Sequence, residues 1–231
     1  MALYPGSLAA ASIGGSLAGR VLWVAMAYIA GTVPSPFIVA LITRRRDVIA
    51  EMRRQESPGD AHFLVAKKIS GAWGGFAIAL DIIKGFAPVL IARIDHVGAA
   101  TLAWMGVAAV AGHAFAPFLR RAGGRGLTTA AGVSLVIVPK AMVATGIIAL
   151  AGTILKRGGF GTSVGFGLLP VFVVVFGYDI VLIYMTLGIL VLIAIRRLEG
   201  LEEDRRAGVS TARAMLGRLP FDAPRGGGSL R

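Results

Sequence analysis

The chain contains no cysteine, which excludes disulfides and thiolate-held metal ions. Charge is also scarce. Asp, Glu, Lys and Arg make up 16% of the 231 residues, against about 25% in an ordinary soluble domain. Acidic residues are the scarcest, with 12 against 24 Lys and Arg. No stretch sustains the alternation of apolar and polar residues that strands of a membrane barrel require. The first 19 residues hold no Lys or Arg, so the positive n-region of a cleavable signal peptide is missing. Residues 1–20 therefore read as a flexible tail that stays attached.

What fills the chain is apolar: 56% of residues are hydrophobic and the mean hydropathy is +0.76. Segments 21–43 and 97–119 hold no charged side chain other than His113, and 178–195 holds only Asp179. A helix needs roughly 17–25 such residues to cross a bilayer. The expected spans are 21–43, 74–92, 97–119, 127–138, 141–155, 159–176 and 178–195. Pro139 and Lys140 divide the fourth from the fifth, because proline breaks a helix and lysine is costly at mid-bilayer. Seven spans with the N-terminus outside put twenty of the Lys and Arg residues on the cytoplasmic side and three outside, as the positive-inside rule requires. The expectation is an all-α polytopic membrane protein of about seven transmembrane helices with a cytoplasmic C-terminus. A membrane domain spans 21–197 and includes a cytoplasmic loop, 44–73. A basic cytoplasmic tail covers 198–231. The net charge of +12 is assigned to anionic lipid rather than to nucleic acid.

Polar residues that interrupt the apolar runs are the candidates for chemistry. In "AGGRGLTT", residues 122–129, glycines let successive backbone N–H groups form an anion nest. The helix start at Thr128 and Thr129 also favours anions, and Arg125 adds a bidentate phosphate contact. A plain glycine turn with topogenic arginines is the alternative. Asp81 and Lys84 lie one helical turn apart inside a span. They are expected to face the bundle interior as a structural intramembrane pair, or to serve a site. His113 ends its span beside Gly112, either bonding a neighbouring helix or serving the glycine turn. Loop 44–73 is too long for a mere connection and reads as an amphipathic segment on lipid headgroups or as a lid carrying cations.

Together these pieces resemble the PlsY family of membrane acyl-phosphate:glycerol-3-phosphate acyltransferases. "GHAFAPFLRRAGGRGLTTAAG" is similar to that family's GHxxPxFxxFxGGKGVATxxG block, "LDIIKGFAPV" to its DxxKGxxPV segment, and "AYIAGTVPSPFIVALI" to its first span. The resemblance implies a multi-pass inner (plasma) membrane enzyme of phospholipid synthesis. Such an enzyme moves an acyl group from acyl phosphate to glycerol 3-phosphate without metal, cofactor or covalent intermediate. It assigns His113 and Arg125 to catalysis, and Gly123, Gly124, Arg125, Gly126, Thr128, Gln55, Ser57, His62, Lys67, Arg196 and Arg197 to phosphate binding. Several of these depart from the family pattern. In "RQESPGDAHFLV", residues 54–65, Gln55 stands where the family has serine. Ser57 and His62 replace asparagines, and Val65 replaces an arginine. Arg125 replaces lysine, and "AIRRLEG" supplies Arg196 and Arg197 where the family has RHxxN. An acyltransferase with weakened activity is one expectation. A catalytically degenerate lipid-binding or structural subunit of a larger membrane complex is the other.

Overall fold

The computed structural model describes residues 15–54, 61–116, 124–199, 201–206 and 208–219, and among these every regular element is a helix. Ser16 caps α1 (Leu17–Gly31) by accepting from the Gly19 amide at 3.0 Å. The expected single span 21–43 is broken. Pro34 lacks an amide donor and biases the preceding residue away from helical angles. The chain leaves the helix at Thr32 and re-enters it as α2 (Ser35–Ile42), bent by 50° from α1.

Loop 44–73 is not irregular. It folds into α3 (Arg46–Arg54) and α4 (Ala61–Lys68). The apolar members Val48, Met52, Leu64 and Val65 are buried in a small second core with Val39, Ala40 and Ala77. Arg45 grips Asp47 with two nitrogens, at 2.9 and 2.7 Å, and donates to the Lys68 carbonyl at 2.6 Å. One guanidinium thus joins the start of α3 to the end of α4, and it holds the Asp47 carboxyl down at about 2.

The main bundle follows: α5 (Gly71–Ile94), α6 (Ala99–Ala114), α7 (Leu127–Ile137), α8 (Pro139–Ile154), α9 (Gly158–Val175) and α10 (Ile180–Leu198). Pro139 opens α8, where its missing amide costs nothing. Several helix interfaces are close enough to demand glycine, two of them beside the site. A Cβ on Gly112 of α6 would lie 2.2 Å from the Tyr28 carbonyl of α1, and one on Gly132 of α7 would lie 2.0 Å from the Ile82 carbonyl of α5. The core runs through Ala27, Val89, Met105, Val110, Val133, Leu169, Met185 and Ile189. Large apolar side chains such as Ile29, Ile83, Trp104, Ile147, Val175 and Tyr184 point outward, as lipid-facing side chains do. Helices α5, α9 and α10 are long and apolar enough to cross a membrane, and the bent α1–α2 pair is so only when its two helices are taken together. Helices α6, α7 and α8 are shorter apolar helices.

The described part of the tail is also helical, as α11 (Leu201–Arg206) and α12 (Thr211–Arg218). Arg218 donates to Asp204 and to the Glu199 carbonyl, and Arg197 to the Leu219 carbonyl. These bonds fold the two short helices back on the end of α10.

Candidate functional site

The break between α1 and α2 exposes backbone that a continuous helix would have consumed. Lys84 of α5 uses it, donating to the Val33 carbonyl at 2.7 Å. One turn earlier on the same helix face, Asp81 has no exposed surface and is the hub of the site. Its Oδ1 accepts from Ser35 Oγ at 2.6 Å and from Lys84 Nζ at 2.7 Å, and His62 Nε2 lies 2.6 Å from Oδ2. His113 Nδ1 stands 3.7 Å from Oδ1. A carboxylate removed from water is tolerated only when its charge is matched and its lone pairs are used. Residues from α2, α4, α5 and α6 meet that demand together.

Beside this hub lies a partly open cavity of about 30 Å³, lined among others by Thr32, Ser35, His62, Asp81, Lys84, His113 and Gly124. Gly124 connects the hub to the glycine turn. A Cβ there would lie 2.0 Å from His113 Nε2, so the histidine ring abuts bare backbone. Gly126 has φ of +89°, a left-handed conformation suited to glycine, and caps the start of α7. The first amides of α7, including that of Thr128, thus follow closely on Arg125 in the chain. Arg196, buried at the end of α10, turns toward it from the other side. Its Nε lies 3.5 Å from the Gly124 carbonyl, and its guanidinium carbon lies 5.4 Å from the centre of the Phe115 ring. It also pairs with Glu199.

Of the residues singled out from the sequence, His113 and Gly124 thus line one cavity with Asp81 and Lys84, Arg196 reaches the Gly124 carbonyl, and Arg125, Gly126 and Thr128 follow Gly124 along the chain. His62 lies within that group but contacts the carboxylate. Lys67 is exposed at the end of α4. Arg197 turns away to Ser163 Oγ, at 2.7 Å, and to the Leu219 carbonyl. Gln55, Ser57 and Gly123 lie outside the described residues. Val65, where the family pattern has an arginine, is fully buried in the second core.

Sequence reasoning missed Ser35 and the Val33 carbonyl. Their signal was present: a serine between two prolines inside an apolar run. Among the described residues no group of His, Asp and Glu side chains is arranged to hold a metal ion; at the hub, the Lys84 ammonium occupies the carboxylate.

A family model described as Glycerol-3-phosphate acyltransferase matches residues 21–202. A glycerol-3-phosphate acyltransferase of Endomicrobium trichonymphae is 29% identical over 179 residues, which are 77% of this chain and 87% of that relative. One from Rubrobacter xylanophilus is 34% identical over 131 residues, 57% of this chain and 62% of its own length. The match to a third, from Trichlorobacter lovleyi, likewise takes in 60% of the relative. Two crystal structures of PlsY, an integral membrane glycerol 3-phosphate acyltransferase, share the fold. The glycerol 3-phosphate form superposes with a TM-score of 0.68 at 23% identity, covering 83% of this chain and 94% of that one. The lysophosphatidic acid form gives 0.66 at 22% identity, covering 85% and 98%. With its apolar helices and a family match across nearly the whole bundle, this chain is a membrane protein of the glycerol-3-phosphate acyltransferase family.

Proposed function

We propose that the protein transfers a fatty acyl group from acyl phosphate to a hydroxyl of glycerol 3-phosphate, giving lysophosphatidate at the cytoplasmic face of the inner membrane. The observation that carries this reading is the meeting of the Gly124–Gly126 turn, Arg125 and the α7 N-terminus with His113 and Arg196, beside the Asp81 cavity. Acyl phosphate is already an activated mixed anhydride. A protein needs only to hold two phosphates, align the hydroxyl and leave the acyl tail in lipid. Helix-start amides and guanidinium groups suit the phosphates. Outward-facing apolar side chains suit the tail.

In this reading the bundle crosses the membrane seven times, counting α1–α2 as one bent crossing and α5 to α10 as six. The N-terminus is outside, and the net positive charge of the chain is directed to anionic lipid. Helix α7 has 11 residues, about 16 Å at 1.5 Å per residue. Its crossing therefore uses the glycine turn at one end and Lys140 at the other.

The test is direct. Purified protein given acyl phosphate and labelled glycerol 3-phosphate forms lysophosphatidate, and Arg125→Ala lowers the rate. No product under conditions where a family member with the full motifs turns over would sink the reading. One observation favours a second reading, of weakened activity or of a lipid-binding structural subunit in a larger complex. Lys67 is exposed and Arg197 is engaged by Ser163, so neither of these cations is among the described residues that line the cavity. A silent protein that copurifies with other subunits and tolerates Arg125→Ala would support it.

A further inference from the structure

We propose that His62, held by Asp81, is the proton acceptor for the attacking hydroxyl, a role that rests on the acyl-transfer reading above. His62 Nε2 lies 2.6 Å from Asp81 Oδ2. An ionised carboxylate only accepts hydrogen bonds, so Nε2 carries the hydrogen and the lone pair of the neutral ring is on Nδ1. Among the described residues no group bonds Nδ1. The ring is nevertheless poised, because its side chain is 15% exposed and lines the cavity.

Asp81 is also engaged by Lys84, at 2.7 Å. Among the described residues, the titratable groups that line the cavity with His62 are Asp81 and Lys84 of α5 and His113 of α6. On α3, Glu51 is engaged by Lys68, at 3.2 Å. Helix α2 contributes Ser35 and no titratable group. His113 is the poorer candidate, since one ring nitrogen faces Asp81 and the other abuts Gly124. The sequence adds an independent point: His62 stands where the family pattern has asparagine, an amide that takes no proton at neutral pH.

The step balances. The hydroxyl oxygen bonds the acyl carbon while its proton passes to His62 Nδ1. The bond from the acyl carbon to the phosphate oxygen breaks, and its electron pair leaves on the phosphate. The histidinium then returns its proton to the departing phosphate or to solvent. Asp81 is the positioning residue, fixing the tautomer and the ring.

The test is the pH profile of acyl transfer by the full chain, as wild type, His62→Gln, His62→Asn, and His62→Gly with and without added imidazole. Imidazole is the side chain that changes charge between about pH 5 and 8, and the base must be neutral, so wild-type activity should fall on the acid side. His62→Gln should cost about a hundredfold or more at alkaline pH and erase the acid limb. Imidazole should restore part of the rate in His62→Gly but not in His62→Gln. His62→Gln keeps an N–H near the position of Nε2 for Asp81, so it preserves that contact while removing the base; His62→Asn is too short for the contact and restores the family's side chain. An active wild type whose rate and acid limb survive in His62→Asn or His62→Gln would overturn this assignment alone. A wild type silent at every pH would overturn it together with the acyl-transfer reading.

Discussion

At the scale of single residues, two positions decide whether the site exists. Asp81 is fully buried and engages Ser35, Lys84 and His62. Removing one partner of a buried ion pair typically costs about 3–5 kcal/mol. Asp81→Asn leaves the Lys84 ammonium without its counter-charge, so a large drop in the unfolding temperature of the detergent-solubilised protein is expected; an unchanged midpoint would show that the pair carries no structural weight. Gly124 is the second position. A methyl there meets His113 Nε2 at 2.0 Å, so the buried ring must shift toward the cavity that it lines. Gly124→Ala should therefore lower acyl transfer far more than it lowers stability, read as rate against unfolding midpoint on one preparation. The Asp81–Lys84 spacing and the glycine run are both legible in the sequence, because a charge in an apolar run and a cluster of glycines are local signals. The company they keep is not local. Ser35 lies 46 residues from Asp81, and Arg196 lies 72 from Gly124. A serine or arginine carries no mark of so distant a partner. His62 shows the converse difficulty: alignment to a phosphate-binding motif gave it a phosphate role, and the fold sets it on a carboxylate.

At the scale of elements, the site depends on how closely helices approach. Helix α5 carries Asp81 and Lys84, and it is seated on α7 where Gly132 meets the Ile82 carbonyl. Gly132→Ala forces these backbones apart, and overpacking of this kind costs about 1–3 kcal/mol. Because α7 also bears the glycine turn, stability and activity should fall together in this variant, in contrast to Gly124→Ala. A variant that keeps both would contradict the role given to this interface. The division of 127–155 at Pro139 could be read directly from proline chemistry, and α8 starts there. The same chemistry was present at Pro34, inside a run read as one span. There the apolar composition was continuous and concealed the 50° bend. Helices α3 and α4 were hidden for the opposite reason. Their charge suggested an amphipathic surface segment or a lid, while the residues that bury them against the protein, Val48, Met52, Leu64 and Val65, are spaced too sparsely to stand out.

At the scale of the whole molecule, the missing cysteine becomes an advantage, since any single introduced thiol is the only one in the chain. Lys140→Cys should react with a membrane-impermeant maleimide added outside intact cells, and Lys156→Cys only after the membrane is opened. The reverse pattern would contradict the orientation proposed here. The central claim, though, is chemical: a guanidinium at the glycine turn holds a phosphate during acyl transfer. The most direct measurement is lysophosphatidate formation by the purified chain from acyl phosphate and glycerol 3-phosphate, with Arg125→Ala measured beside it. A charge-assisted hydrogen bond is worth about 1.5–3 kcal/mol, and about 1.4 kcal/mol is a factor of ten. The wild type should turn over, and Arg125→Ala should run about ten- to a hundredfold slower. Equal rates for the two proteins, or no product from either, would contradict the account.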